Sequence, residues 1–300
     1  MDRTVACPGV TRDILKEYDL QLYKGMGQNF LVDQNILNKV IEAASLTAGD
    51  NVIEIGPGIG ALTQQILRAS GFNGSLIVIE KDERFVQILK DIFSGRDNLE
   101  IVNRDVLDID WHNFFGERKL LPGRVKIIGN LPYYITTPII MGILEESLDV
   151  TRMVFMVQKE VGERMVASPG TKEFGALSVA VQFYARAEIV SDVPSTVFMP
   201  RPDVKSCIVA LVPYDVPEYE VDNRDFFFKV VKAIFQQRRK IIKNSLLKSS
   251  VMSPEKDLVL DSLREAGVDS RIRGEKLSLE KIAELSNCLW NNIKPETKHD

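Results

Sequence analysis

The sequence predicts an α/β protein: a Rossmann-like, mostly parallel sheet that carries a cofactor loop, followed by a smaller all-helical domain. Three observations predict it. Short apolar strands alternate with helices of about ten residues over the first two thirds of the chain. A glycine-rich turn, Gly56-Pro57-Gly58-Ile59-Gly60, lies between one such strand and its helix. Past Pro213 and Pro217 the apolar period is helical only. The boundary falls near residue 216, giving domains 1–216 and 217–300, with 1–20 as an extension that carries no readable motif.

The elements follow in order. Asp33 is placed to cap a helix over 33–44, whose apolar residues Ile36, Leu37, Val40 and Ile41 share one face. A strand over 51–55 leads into the glycine turn, and a helix resumes at 61–69. The strand 75–80 and the helix 82–93, with Phe85, Val86, Ile88, Leu89 and Ile92 inward, repeat the unit. Strands at 99–102 and 125–128, a helix at 137–148 and a strand at 153–157 continue it. Residues 187–190 and 204–212 suit an antiparallel pair at the far edge of the sheet. The C-terminal helices are expected at 226–237, 240–247, 255–266 and 278–290, the last capped by Ser278.

Composition excludes several classes. At 300 residues, 45% hydrophobic and 27% charged, the chain is an ordinary globular mixture. Its three cysteines (Cys7, Cys207, Cys288) form no CxxC, which points to a reducing compartment. His112 and His299 are the only histidines, so neither a histidine metal site nor a Ser-His-Asp hydrolase is expected, and no metal is assigned. Asp2, Asp13, Glu17 and Asp19 speak against a secretory leader, and no apolar run reaches the roughly 18–20 residues of a membrane span; a cytoplasmic protein is expected.

Strand, glycine turn and helix together make a cofactor loop, because glycine lets a ligand approach main-chain N–H groups. Gly56 and Gly58 head the turn, and Glu80 ends the next strand, where a carboxylate can accept both ribose hydroxyls. Asp105 can accept from an adenine amino group while Val106 packs on the ring face. NAD and S-adenosylmethionine (SAM) both satisfy the turn and Glu80, so those features alone do not choose between them.

The choice comes from Gly129-Asn130-Leu131-Pro132-Tyr133-Tyr134, at the carboxyl end of the 125–128 strand. An adenine N6 amine is a poor nucleophile because its lone pair is delocalised into the ring. Acceptors placed out of the ring plane, the Asn130 side-chain oxygen and a carbonyl near Leu131, would favour the tetrahedral form that attacks a methyl group. Pro132 removes a competing donor and fixes the backbone, and Tyr133 offers a face for an extruded base, worth about 1–3 kcal/mol. No general base is required, in keeping with the scarcity of histidine.

Gly27-Gln-Asn-Phe-Leu31, Val52-Ile-Glu-Ile-Gly-Pro-Gly58 and Gly129-Asn-Leu-Pro-Tyr133, in that order and spacing, resemble the rRNA adenine N6,N6-dimethyltransferase family, and within it the bacterial small-subunit (16S) branch. Gln158-Lys-Glu-Val-Gly-Glu-Arg164, Phe198-Met-Pro-Arg-Pro202 and Phe235-Gln-Gln-Arg-Arg-Lys240 agree, so the match runs over nearly the whole chain from about residue 20. The resemblance implies a Rossmann-like SAM-dependent methyltransferase domain and dimethylation of two adjacent adenosines in the 3′-terminal hairpin of 16S rRNA. It adds Asn29 and Leu31 to the cofactor pocket with Gly56, Glu80, Asp105 and Asn130, and makes Phe198 the second face of a base sandwich with Tyr133. Read from the sequence alone, Phe198 is core.

The chain is acidic overall, at −4, yet residues 224–248 carry eight basic side chains against one acidic, a local +7. Arg238, Arg239, Lys240 and Lys243, with Arg201 and Lys205 beside Phe198, are the expected rRNA contacts, the partner being 16S rRNA in a pre-30S particle and the protein a monomer. Three alternatives remain: a 23S rRNA adenine dimethylase of the macrolide-resistance type, a ribosome-assembly factor with methylation secondary, and an NAD-dependent dehydrogenase. The dehydrogenase lacks a His or Tyr-x-x-x-Lys acid.

Overall fold

The computed structural model describes residues 3–20, 29–252 and 254–293. Gly27 and Gln28 of the first motif, and His299, lie outside them. The chain forms two compact units, Met1–Gly162 with Ala185–Pro213 and Glu163–Tyr184 with Tyr214–Asp300. Among the described residues no helix is long and apolar enough to cross a membrane.

The first unit opens with helix α1 (Pro8–Glu17), strand β1 (Phe30–Leu31) and helix α2 (Gln34–Ala44). Asp33 caps α2 as expected, accepting from the amides of Asn35 and Ile36. Then come β2 (Asn51–Ile55), α3 (Ala61–Arg68), β3 (Ser75–Glu80), α4 (Glu83–Ile92), β4 (Leu99–Asn103), α5 (Trp111–Glu117), β5 (Val125–Asn130), α6 (Thr136–Glu145) and β6 (Val150–Gln158). After α7 (Lys159–Met165) and α8 (Ala176–Tyr184), the unit resumes with β7 (Ala185–Val193), β8 (Phe198–Met199) and β9 (Ser206–Pro213). The N-terminal extension is part of this core: Val5, Ile14 and Leu15 are buried, and Gln64 of α3 accepts from the Val5 amide and donates to the Arg3 carbonyl, both at 2.9 Å.

The sheet has seven strands in the order β4-β3-β2-β5-β6-β9-β7. Strands β4 to β6 along that order are parallel, while β9 runs antiparallel to β6 and β7 to β9. The antiparallel pair expected from the sequence is therefore present, with β7 as the edge. From β2 the chain winds outward through β3 and β4, then returns to place β5 on the other side of β2. The loops after β2 and β5 part in opposite directions and leave a crevice at the carboxyl ends of these strands, where open α/β sheets bind ligands. A separate two-stranded ribbon pairs β1 with β8, Phe30 opposite Met199 and Leu31 opposite Phe198.

The second unit contains α8, α9 (Arg224–Gln236), α10 (Ile242–Leu247), α11 (Lys256–Glu265) and α12 (Leu279–Ile293). Ser278 caps the last, accepting from the Lys281 amide. Residues 163–184 belong to this unit, whereas the boundary near 216 left them in the first. The reason is aromatic packing between distant segments: Phe183 of α8 stacks on Phe227 of α9 at 4.8 Å, and Tyr184 stacks on Phe228 at 5.7 Å. Helix α8 is apolar on nearly every face, so it shows no period for the sequence to read.

Candidate functional site

A cavity of about 1080 Å³ opens at the crevice between β2 and β5. Its floor is the glycine turn. Gly58 has φ +55, a left-handed conformation that favours glycine, and a Cβ there would stand 3.2 Å from the Phe30 ring, a tight contact. The Gly58 amide donates to one Glu80 oxygen at 3.1 Å, and the Asp82 amide donates to the other at 2.9 Å. Burial raises the Glu80 pKa, against the pull of these two donors. Each carboxylate oxygen keeps a second lone pair for a ribose hydroxyl.

This arrangement resolves the choice of cofactor that the turn left open. In a dinucleotide site the turn amides face a pyrophosphate; here the Gly58 amide is committed to a carboxylate. Glu54, 1% exposed yet part of the cavity wall, brings a second carboxyl group to the floor. Burial pushes its pKa up to about 8, with the Thr63 hydroxyl bond (2.6 Å) opposing and the Glu80 charge adding. The Glu80 carboxyl group already occupies the Gly58 amide and leaves no room there for a pyrophosphate, while the protonated Glu54 adds a neutral polar group. S-adenosylmethionine, which carries no pyrophosphate, fits this floor. Glu54 was missed in the sequence, although an acid inside the otherwise apolar strand 52–55 is a visible signal.

Asn130 ends β5 across from this turn. A Cβ built on Gly56 would lie 3.8 Å from the Asn130 carbonyl oxygen. Its side-chain nitrogen donates to the main-chain oxygen of Asn29 at 3.0 Å. A carbonyl can only accept, so the amide nitrogen must face Asn29, and the side-chain oxygen is the end left without a donor among the described residues. The next carbonyl, on Leu131, likewise accepts nothing among the described residues. The Pro132 carbonyl instead closes the turn, taking the Ile135 amide at 3.2 Å and the Thr136 hydroxyl at 3.1 Å. Asn130 and Leu131 both line the cavity. The half-buried Tyr133 ring is held by a 2.7 Å hydrogen bond between its hydroxyl and Ser206.

The other expected residues divide. Asn29, Leu31, Gly56 and Val106 line the cavity. Asp105 does too, but it is already engaged: one oxygen accepts from Lys81 at 2.6 Å, the other from the Leu107 amide at 3.0 Å. Phe198 does not line it. At 3% exposure it sits in the core, paired with Leu31 in the ribbon, because the β1–β8 pairing turns its ring inward. The core reading of residue 198 describes this structure, and a base sandwich with Tyr133 would need the ribbon to move. Arg201 and Lys205 are exposed on the loop that follows.

In the second unit Arg239 and Lys240 are exposed and Lys243 is half-buried. Arg238 is turned to structural use: its guanidinium donates to the Lys172 and Phe174 carbonyls, both at 2.6 Å. An isolated bridge between Ile241 and Arg273 brings exposed Arg271 and Arg273 beside this stretch, a neighbourhood that local sequence does not reveal.

A sheet that reverses its winding over a glycine turn, with carboxyl groups beneath the turn and an open amide acceptor opposite, defines a SAM-dependent methyltransferase of Rossmann-like fold. The chain belongs to the ribosomal RNA adenine dimethylase family, whose pattern matches residues 20–290. It is 53% identical to the ribosomal RNA small subunit methyltransferase A of Halothermothrix orenii over 296 residues, 99% of this chain and 97% of that protein. The protein of the same description in Clostridioides difficile is 45% identical over 298 residues, 99% of this chain and all of that one (100%). Among solved structures, a dimethyladenosine transferase from Plasmodium falciparum superposes with a TM-score of 0.70 at 25% identity, covering 85% of this chain and 95% of that one.

Proposed function

We propose that this protein transfers methyl groups from S-adenosylmethionine to N6 of two adjacent adenosines in the 3′-terminal hairpin of 16S rRNA. It acts as a cytoplasmic monomer on an assembling small subunit. The observation that carries the reading is Asn130: its nitrogen is held by Asn29, so its oxygen is presented in the cavity wall opposite the glycine turn. The small-subunit relatives favour 16S over 23S rRNA.

The cofactor supplies an electrophilic methyl on a sulfonium. Glu80 and Asp105 would hold its nucleoside end, with Val106 beside the purine. The Asn130 side-chain oxygen and the Leu131 carbonyl accept the two N6 hydrogens of the target adenine and turn its lone pair toward the methyl carbon. When bound, S-adenosylmethionine would supply the methyl group and its sulfur would keep the bonding electrons; the methylated amine could then lose its surplus proton to solvent, so no side-chain base is required. Holding three atoms in line is the main contribution, and positioning of this kind is worth about 7–11 kcal/mol. Pro132 stiffens the loop, Tyr133 stacks on the base, and Phe198 closes the other face once the ribbon opens. Arg201, Lys205, Arg239, Lys240 and Lys243 take rRNA phosphates.

The test is incubation with tritiated S-adenosylmethionine and unmethylated 30S particles, followed by nucleoside analysis. Labelled N6,N6-dimethyladenosine confined to 16S rRNA is expected. Label in 23S rRNA, or none in the presence of measured cofactor binding, overturns the assignment.

A further inference from the structure

Tyr134 is 73% exposed, the most exposed aromatic residue in the wall of the cavity. Its ring makes no aromatic contact, and its hydroxyl makes no hydrogen bond, among the described residues. An aromatic side chain left in water gains nothing for folding, yet this one is rigidly mounted. It lies in the turn closed by the Pro132 carbonyl, two residues before α6. A single 3₁₀ turn, Val106–Asp108, packs against α6 and adds the half-exposed Leu107 (46%) to the same rim. Cations complete it. Lys81 and Arg104 line the cavity, both exposed, and the Arg104 side chain has no partner among the described residues. Lys81 is held in its charged form by its 2.6 Å hydrogen bond to Asp105.

We propose that Tyr134 is a stacking platform at the cavity mouth for the base next to the one being methylated, with Arg104 of the same cavity wall taking that nucleotide's phosphate. This rests on the methyltransferase reading above. When one adenine of an adjacent pair enters the cavity, its neighbour stays at the mouth with one face bare. A flat, π-rich ring with cations in the same wall matches a base and its phosphate, whereas a protein partner would ask for a wider apolar surface than Tyr134 and Leu107 provide. Tyr134 is then a positioning residue: it holds the strand so that the flipped base arrives in register with Asn130.

The experiment compares the parent protein with Tyr134→Ala, Tyr134→Leu and Tyr134→Trp, using tritiated S-adenosylmethionine and unmethylated 30S particles. Tyr134→Ala and Tyr134→Leu should raise KM for the particle by about ten-fold, the loss of one base stack. Tyr134→Trp should match or improve on the parent. Cofactor affinity measured by calorimetry should stay within about two-fold in every variant, and melting temperatures should not move. A particle KM for Tyr134→Leu equal to that of the parent overturns the proposal, as does a loss of cofactor affinity as large as the rise in KM. If the parent binds cofactor but labels no particle, the functional reading fails instead and takes this inference with it, before any variant is compared.

Discussion

Asn130 and Asn29, 101 residues apart in the chain, meet through one 3.0 Å hydrogen bond from side-chain amide to main-chain carbonyl. That bond decides which end of the amide faces the cavity. It also links the loop expected to hold the base to the residue that precedes strand β1 in the cavity wall.

Replacing Asn130 separates these roles. Asn130→Ala should keep part of the cofactor affinity and lower kcat by about a hundred-fold, the size of effect seen when one transition-state hydrogen bond is removed. Asn130→Asp keeps an acceptor but cannot donate to Asn29, so it should lose cofactor affinity as well as rate. Single-turnover rates and calorimetry measure both; an Asn130→Ala enzyme of full activity would remove the acceptor role.

Glu54 makes stability depend on pH. In the unfolded chain its carboxyl ionises near 4.5, whereas in the fold burial keeps it protonated up to about 8. Between these values the folded state holds a proton that the unfolded state has lost, so stability falls as pH rises, by about 1.4 kcal/mol per pH unit from this group. Glu54→Gln has no proton to lose and can still accept from Thr63. Its melting temperature should decline less than that of the parent between about pH 5 and 8. Parallel melting curves for the two proteins would contradict this.

The basic stretch contains two kinds of arginine. Arg239→Glu with Lys240→Glu should weaken particle binding and shrink its salt dependence by about one power of salt concentration per lost phosphate contact, with free cofactor binding unchanged. Arg238→Ala should act on the fold, because two carbonyls lose a charged donor. The cost is about 1–3 kcal/mol, read from denaturant melts. Equal loss of particle affinity in both variants, with no change in stability, would return Arg238 to the binding face.

Gly129 lies on β5 opposite Ile55 of β2. A Cβ there would stand 2.7 Å from the Ile55 carbonyl oxygen, well inside contact distance. Gly129→Ala must push the two strands apart at the point where both site loops leave the sheet. A destabilisation of about 1–3 kcal/mol is expected, with cofactor affinity and transfer rate falling together. A variant as stable and as active as the parent would show that the strands can shift there without consequence.

Local chemistry was legible and assembly was not. The glycine turn, the Asp33 and Ser278 caps and the central strands each depend on a few neighbouring residues, so their patterns survive in a linear reading. Helix α8 is apolar all round and shows no period to read, and residues 163–184 join the second unit through contacts such as Phe183 on Phe227 that form only after the chain returns. Asp105 shows the same limit at the site: its carboxylate could be located from the sequence, but its partner Lys81 lies on a different loop.

The sequence by itself determined the class of fold, the cofactor loop and the identity of the residues around Asn130, because spacing along a strand or helix sets which atoms share a face. Only the tertiary structure decided that the Gly58 amide is committed to Glu80, that Phe198 is folded inward and that Arg238 is bonded to the Lys172 and Phe174 carbonyls. Each of these is a competition between partners far apart in the chain, and the winner depends on distances that exist only once the sheet has closed around them.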